Sequence, residues 1–453
     1  MSKSSAPRRC LALVLAAGEG TRMRSQTPKV LHELAGLSLI GHVLESLKAA
    51  GADEIVAVIG PDRPDVAAQI HKIHPQAGLV EQRERKGTAH ACLMAADYLE
   101  RGFDDILVVF GDTPLVLPQT YQRMRDALAS GSQVVALGFE ARDPHGYGRL
   151  LRSGERLQAI REHKDCSDAE RAITLCNAGL MALDGKHALA LLKGIGNQNS
   201  QNEFYLTDAV AVAVAQKLKA SFVVAPEEEV MGINDRVQLA QAEQICQSRL
   251  RIAAMQKGVT LQDPASVYLS HDTILEPDVL IEPHCVFGLG VRVSTGAVIH
   301  AFSHLSGCSI GAHNSIGPFA RVRPGTVTDQ GVRIGNFVEV KNAALSEQVK
   351  INHLSYVGDA SVGEQSNIGA GTITCNYDGF NKHRTEIGAH AFIGSDSALV
   401  APVRIGTGAY VATGSVITEN VPDHALAFGR ARQVTKADRG RQLTEALKKN
   451  SGK

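Results

Sequence analysis

Residues 387–417 read IGAHAFIGSDSALVAPVRIGTGAYVATGSVI, and their spacing decides half of the fold. Ile387, Ile393, Leu399, Ile405, Val411 and Ile417 recur every six positions without a miss, with Gly388, Gly394 and Gly406 directly behind three of them. A helix repeats at about 3.6 residues and a two-faced strand at about 2, so neither explains a period of six. A parallel β-helix does: each face of a prism takes one hexapeptide and turns its apolar residue inward, while glycine supplies corner conformations. The same period runs upstream with lapses. Ile274, Leu280, Val286, Val298, Ile310, Ile316, Val322, Ile334 and Val340 keep it, and the misses fall at Arg292, His304 and Thr328. The phase shifts near Val362 and Ile368 and again after 375–386, which predicts a loop at 374–382 that leaves the prism wall. At ~18 residues per coil and ~4.8 Å per rung, the sequence beyond residue 260 makes about ten coils.

Residues 1–236 have another texture. Runs at 11–15, 55–59, 106–110 and 134–139 are rich in Val, Ile and Leu and read as buried strands, while 39–50, 88–99 and 118–129 carry helical spacing. That alternation predicts a mostly parallel sheet covered on both faces. Between the two textures, Val237, Ala240, Ile245, Leu250 and Ala253 recur among Gln and Arg up to Gly258. This predicts one helix of about 22 residues, ~33 Å long, serving as a strut between domains. The expected domains are 1–236, a linker helix 237–257, and 258–453.

Composition bounds the function. Among 453 residues, 44% are hydrophobic and 21% charged, enough for a real core. Lys+Arg and Asp+Glu both total 47, which excludes a uniformly basic nucleic-acid coat. The 43 glycines and 4% aromatics point to a region of small residues and tight corners. The eight cysteines are scattered with no C-x-x-C pair, so free thiols in a reducing compartment are expected. Arg8 and Arg9 before the apolar run 10–17 have the outline of a secretory signal, but the glycine-rich turn that follows makes sense only if this strand is retained. No apolar run reaches the ~18 residues of a membrane span. A cytoplasmic protein is expected, with no membrane and no nucleic acid among its partners. The basic tail from Gly429 reads as a solvated end.

The first chemistry lies in Leu15-Ala16-Ala17-Gly18-Glu19-Gly20-Thr21-Arg22-Met23 and Pro28-Lys29. A glycine-rich turn after a strand turns backbone N–H groups toward a phosphate, and Arg22 and Lys29 add two cations. It is neither a Walker A loop, since no Gly-Lys-Ser/Thr follows, nor G-x-G-x-x-G, since position 23 is Met. Phe110-Gly111-Asp112 closes an apolar strand, a good place for a carboxylate that holds Mg²⁺.

This motif resembles the signature of sugar-phosphate nucleotidyltransferases. With the hexapeptide repeats behind it, nearly the whole chain resembles the bacterial bifunctional N-acetylglucosamine-1-phosphate uridyltransferase/glucosamine-1-phosphate acetyltransferase family. The resemblance implies a Rossmann-like α/β nucleotidyltransferase domain, a long linker helix and a left-handed parallel β-helix. It implies N-acetylation of glucosamine 1-phosphate by acetyl-CoA, then uridylyl transfer from UTP to the product. Leu15, Ala16, Ala17, Gly18, Lys29, Gln82, Gly87, Thr88, Phe110, Gly111 and Asp112 match UTP-side positions, Gln82 and Gly87-Thr88 facing the uracil. Gly148, Glu162 and Asn177 match sugar positions. Asp112 and Asn234 match the Mg²⁺ ligands, and Arg22 and Lys29 the catalytic cations. In displacing pyrophosphate two anions must meet, so neutralisation and in-line placement dominate. Phe110 and Ala178 depart from the Tyr and Thr the family often has.

In the repeat region, Arg323, Lys341, Tyr356 and Asn367 match the sugar-phosphate side of an acetyltransferase site. His353, in Asn352-His353-Leu354-Ser355-Tyr356, matches the catalytic base; an imidazole with an ordinary pKa of ~6.5 accepts a proton near neutrality. Ala370, Asn376, Tyr377, Ser395, Thr413 and Arg430 match acetyl-CoA positions, Thr413 standing where the family often has Ala. A backbone N–H in 369–371 is a candidate oxyanion donor. The resemblance places the 374–382 loop against a neighbouring chain, so that the acetyl site forms between subunits of a homotrimer. An acyl-enzyme on Cys375 is disfavoured, since no base adjoins it in sequence. Two rival readings exist: a nucleotidyltransferase whose β-helix is only structural or regulatory, and a non-enzymatic scaffold. The set His353, Arg323, Lys341 and Tyr356 argues against the first, and Arg22, Lys29, Asp112 and Asn234 against the second.

Overall fold

A computed structural model describes residues 8–199 and 201–451. The chain divides into two compact units, 1–249 and 250–453.

The first unit is built on a nine-stranded sheet. Its strands are β1 (Cys10–Ala16), β2 (Glu54–Ile59), β3 (Gly78–Glu81), β4 (Asp105–Phe110), β5 (Val134–Glu140), β6 (Arg149–Ser153), β7 (Arg156–Arg161), β8 (Leu175–Asp184) and β9 (Ala220–Val224). The order is β9-β5-β8-β4-β1-β2-β3, with the β6–β7 hairpin joined through β8. β1 pairs in parallel with β2 and β4, and β8 runs antiparallel between β4 and β5. Every residue of β1 is buried. Cys10, Ala12, Val14 and Ala16 join one apolar cluster and Leu11, Leu13 and Leu15 another, so both faces are covered. The helical spacing at 88–99 resolves into two short helices, Thr88–Leu93 and Ala96–Leu99. Parallel topology gathers the carboxyl ends of β1 and β4 on one edge, where ligands of open α/β sheets bind.

The helix Arg236–Gln256 starts at Asp235, whose Oδ1 accepts from Gln238 N at 2.8 Å, and stops at Gly258, φ +93°. The division between the units falls inside it, after Arg249.

The second unit is a left-handed parallel β-helix. One wall is a sheet of ten short parallel strands, and the inward residues form one continuous apolar core. Ile387, Ile393, Leu399, Ile405, Val411 and Ile417 all point into it. In the first coils the phase is one residue later than the spacing suggested. Leu275, Ile281, Phe287, Val293, Ile299 and Leu305 face inward, while Ile274 and Val286 are exposed and Leu280 and Val298 half-exposed. Arg292 and His304 are therefore ordinary outward neighbours, and Thr328 is an inward position, buried beneath Asn314. The period shortens to five at Leu305→Ile310, Val340→Leu345 and Val357→Val362, each pair buried. Rung partners are 18 apart at Leu280/Val298 and 17 apart at Val298/Ser315, but 25 apart at Asn367/Phe392. That long coil ejects the segment around 376–383, which is tied by Asp378: its Oδ1 accepts from Phe380 N at 2.8 Å and its Oδ2 meets His383 Nε2 at 2.6 Å.

Candidate functional site

Two cavities open at the carboxyl edge of the sheet. A cavity of about 500 Å³ is lined by Gly148, Glu162, Asn177 and Asn234 among others. One of about 350 Å³ is lined by Leu15, Ala16, Ala17, Gly18, Lys29, Gln82, Gly87 and others. They share Thr88, Phe110, Asp112 and Glu203. The residues singled out in the sequence thus sort into two adjoining clefts that meet at Asp112. Gly111 contributes backbone, its N donating to Leu15 O at 3.0 Å. Arg22 lines neither cavity; it sits exposed on the 3₁₀ turn Thr21–Met23.

Local geometry explains the placements. Gly20 has φ +64°, and a Cβ there would stand 2.5 Å from Lys29 Cβ, so glycine lets the turn close on Lys29. Lys29 Nζ donates to Asp112 Oδ2 and, at 3.1 Å, to Asn234 Oδ1. Ile233 N donates to Asp112 O at 3.0 Å, which ties the Asn234 segment to the end of β4. The register of β8 breaks between Asn177 and Met181. This bulge re-aims Asn177, whose Oδ1 accepts from Gly179 N at 3.1 Å. Glu162 accepts from Thr207 Oγ1 at 3.2 Å; burial, aided by Asp208 and Asp165 against the Thr207 hydrogen bond, raises its carboxyl pKa. Gln82 is buried with Nε2 donating to Gly87 O at 3.1 Å and 3.2 Å from His90 Nδ1.

Two oxygens, of Asp112 and Asn234, face one point filled by an ammonium. They are hard donors on a cation site and suit Mg²⁺. Among the described residues no three His, Cys, Asp or Glu side chains form a metal cage. A two-residue set agrees with an ion that keeps water and phosphate ligands.

In the second unit the residues fall on walls and a corner of the prism. Arg323 and Lys341 lie on adjacent rungs, Arg323 N donating to Val340 O at 2.8 Å. Arg323 also pairs with Glu339 at 2.6 Å. Tyr356 occupies the rung next to Glu339 and lines an open groove of about 400 Å³ with Phe319, Phe337 and Leu354. Asn376 Nδ2 reaches Tyr356 Oη at 3.5 Å. Asn367 lies on another wall, on the rung after Lys350. His353 stands at the corner, exposed, with Nδ1 2.8 Å from Asn336 Oδ1. An amide oxygen only accepts, so Nδ1 carries the proton and Nε2 is left basic. The corner continues as a column: Gly371 N donates to His353 O at 3.4 Å, Asp396 N to Ala370 O at 2.7 Å, and Gly414 N to Ser395 O at 2.8 Å. Arg430 Cδ is 3.8 Å from a Cβ built on Gly414. His353, Ala370, Ser395, Thr413 and Arg430 thus follow one edge. Tyr377 is exposed on the ejected loop, with Lys382 5.3 Å from its ring centroid.

Sequence reasoning missed three residues. Arg85 lines the smaller cavity and donates to Ala17 O at 3.1 Å. Glu203 lines both. Asp359 accepts from Asn342 at 2.6 Å and from Asn376. Burial alone would raise its pKa, but these bonds and the charges of Lys341 and Lys382 lower it. None of the three sits in a recognisable motif; each matters through contacts distant in sequence.

Residues 12–178 match the MobA-like NTP transferase domain family. The chain is 57% identical over 429 residues to the bifunctional protein GlmU of Azorhizobium caulinodans, covering 95% of this chain and 96% of that protein. It is 57% identical to that of Xanthobacter autotrophicus (98% and 99% covered) and 52% identical to that of Bartonella quintana (98% and 100%). Among the described residues no helix is long and apolar enough to cross a membrane.

Proposed function

This chain belongs to the family of bifunctional GlmU proteins, and from that premise we propose how its residues divide the chemistry. It is an enzyme with nucleotidyltransferase and acetyltransferase activities. Acetyl-CoA N-acetylates glucosamine 1-phosphate; UTP then gives its uridylyl group to N-acetylglucosamine 1-phosphate, yielding UDP-N-acetylglucosamine and pyrophosphate. The observation that carries the uridylyl assignment is the meeting of Lys29, Asp112 and Asn234 where two cavities join.

UTP takes the smaller cavity and the sugar phosphate the larger. Its phosphate oxygen attacks the α-phosphorus as the bond to pyrophosphate breaks. Backbone at 15–18 cradles the triphosphate, and Lys29 and Arg22 offset its charge. Gly148, Glu162 and Asn177 seat the sugar. Asp112 and Asn234 would hold Mg²⁺, which when bound neutralises phosphate charge.

In the second unit Arg323 and Lys341 bind the sugar phosphate, with Tyr356 and Asn367 beside it. His353 Nε2 takes a proton from the amine as nitrogen attacks the thioester carbonyl and CoA thiolate leaves. The Ala370 amide suits the oxyanion: Gly369 N and Gly371 N are spent on Ile393 O and His353 O, and among the described residues it has no acceptor. The corner column of Ser395, Thr413 and Arg430 suits an extended acyl carrier, with Asn376 and Tyr377 near its acetyl end. We place this site between chains of a homotrimer. Supporting this is an exposed ladder of stacked rings at 4.9–5.1 Å, Phe302, Phe319 and Phe337, leading to Leu354 beside the open groove that Tyr356 lines. Eight free thiols suit a cytoplasmic location.

The test is a coupled assay on wild type and His353→Ala, following CoA and pyrophosphate separately. Wild type should release both from glucosamine 1-phosphate, acetyl-CoA and UTP with Mg²⁺. The variant should release pyrophosphate only from N-acetylglucosamine 1-phosphate. No CoA from wild type would reduce the β-helix to a structural module. Sedimentation should show three copies of the 48.2 kDa chain.

A further inference from the structure

Of the four residues shared by the two cavities, three already have work. Asp112 meets Lys29, Phe110 packs over Gly179, and Thr88 Oγ1 accepts from Leu206 N at 2.9 Å. Glu203 is half-buried, and among the described residues its carboxylate has neither hydrogen bond nor ion pair. Its backbone, by contrast, is held. Asn199 Oδ1 accepts from Glu203 N at 3.2 Å, and Asn199 Nδ2 donates to Glu203 O at 2.5 Å. Phe204 N donates to Lys86 O at 2.8 Å, and Phe204 O accepts from Ala89 N at 3.0 Å. A Cβ on Gly87 would stand 2.5 Å from Phe204 O, so only glycine permits this closure. The segment is zipped to the turn that bears Thr88.

A fixed backbone offering an uncommitted carboxylate at a cavity junction is preorganised for a ligand. Both co-substrates carry phosphate, which a carboxylate repels. An ionised carboxylate only accepts; apart from the acetamido N–H of the sugar and the N3–H of uracil, every donor on either molecule is a sugar hydroxyl. We propose that Glu203 is a specificity-determining residue of the uridylyl site, accepting hydrogen bonds from sugar hydroxyls where the two cavities meet. This rests on the uridylyl-transfer reading above. The hydroxyls belong to the hexose of the sugar phosphate or to the ribose of the nucleotide, and one experiment separates these.

Full-length wild type, Glu203→Gln and Glu203→Ala are assayed for pyrophosphate release. Substrates are UTP against 2′-deoxy-UTP, and N-acetylglucosamine 1-phosphate against its 3-deoxy and 4-deoxy analogues. A hydrogen bond to a charged group predicts a KM increase of about tenfold or more for one co-substrate in Glu203→Ala, with kcat within about twofold. The penalty wild type shows for the deoxy form of that co-substrate should vanish in the variant, and Glu203→Gln should lie between. A vanished ribose penalty assigns the nucleotide; a vanished hexose penalty assigns the sugar. Unchanged KM values with both penalties intact overturn the proposal. So does a fall in kcat alone, which marks a structural role. CoA release on the same samples reports intact folding. Absence of pyrophosphate from wild type would instead overturn the uridylyl reading, and this proposal with it.

Discussion

Replacing Gly20 by Ala tests how closely the first turn controls catalysis. Gly20 sits at φ +64°, and the new Cβ would stand 2.5 Å from Lys29 Cβ. Ordinary contact begins near 3.4 Å, so the two must part by about 1 Å. The left-handed conformation costs an L-residue a further ~1–2 kcal/mol. At roughly 2–4 °C per kcal/mol for a unit of this size, melting of the first unit should fall by several degrees. The larger effect is on chemistry. Lys29 Nζ bridges Asp112 and Asn234, and a displacement of ~1 Å at a positioning residue is worth about 100-fold in rate. Pyrophosphate release should therefore drop about 100-fold. CoA release, which depends on residues of the other unit, should stay within about twofold and serves as the internal control. A Gly20→Ala protein that keeps uridylyl transfer within about threefold would refute the reasoning, since the turn would then tolerate the displacement.

Lys29→Met should lower uridylyl transfer by about 10²–10³, the scale of a lost charge-stabilising group, with acetyl transfer unchanged in the same assay. Glu162→Gln should raise stability at neutral pH while raising KM for the sugar phosphate. Its folded pKa is raised, so stability falls as pH climbs through the ordinary carboxyl value and beyond; urea midpoints of wild type and variant should converge in acid. Asp359 has the opposite sign. Its lowered pKa stabilises the fold above the ordinary value of ~3.9, and this is lost as pH falls through the folded one. Asp359→Asn should therefore be the weaker protein at pH 7 and close the gap in acid. Seven of the eight thiols are buried and Cys375 is half-exposed. Burial pushes Cys10, Cys92 and Cys308 to about 12. Iodoacetamide should modify Cys375 first, read by peptide mass, and the others only after denaturation.

What was legible in the sequence was whatever local pattern encodes. The strands of the sheet core showed as apolar runs because parallel strands are buried on both faces. The antiparallel β8 escapes a reading by apolar runs because Asn177 and Gly179 interrupt it where it lines the cavity, and the β6–β7 hairpin because arginines flank its short apolar stretches. In the early coils of the β-helix, Ile274-Leu275, Leu280-Ile281, Val286-Phe287 and Val298-Ile299 are apolar pairs. A period of six cannot say which member of such a pair turns inward; only packing against the next rung does.

The hexapeptide period by itself determined that the second half of this chain winds into a β-helix, because no other regular backbone repeats at six. The glycine-rich turn with Arg22 and Lys29 likewise announced a phosphate cradle, because strand, glycine and cation lie within 20 residues. Only the tertiary structure decided the rest: that Asp112 and Asn234 close on Lys29, that the cavities share Glu203, and that Asp359 gathers Asn342 and Asn376. Those contacts join residues far apart in the chain, and their energy depends on distances that no local spacing carries.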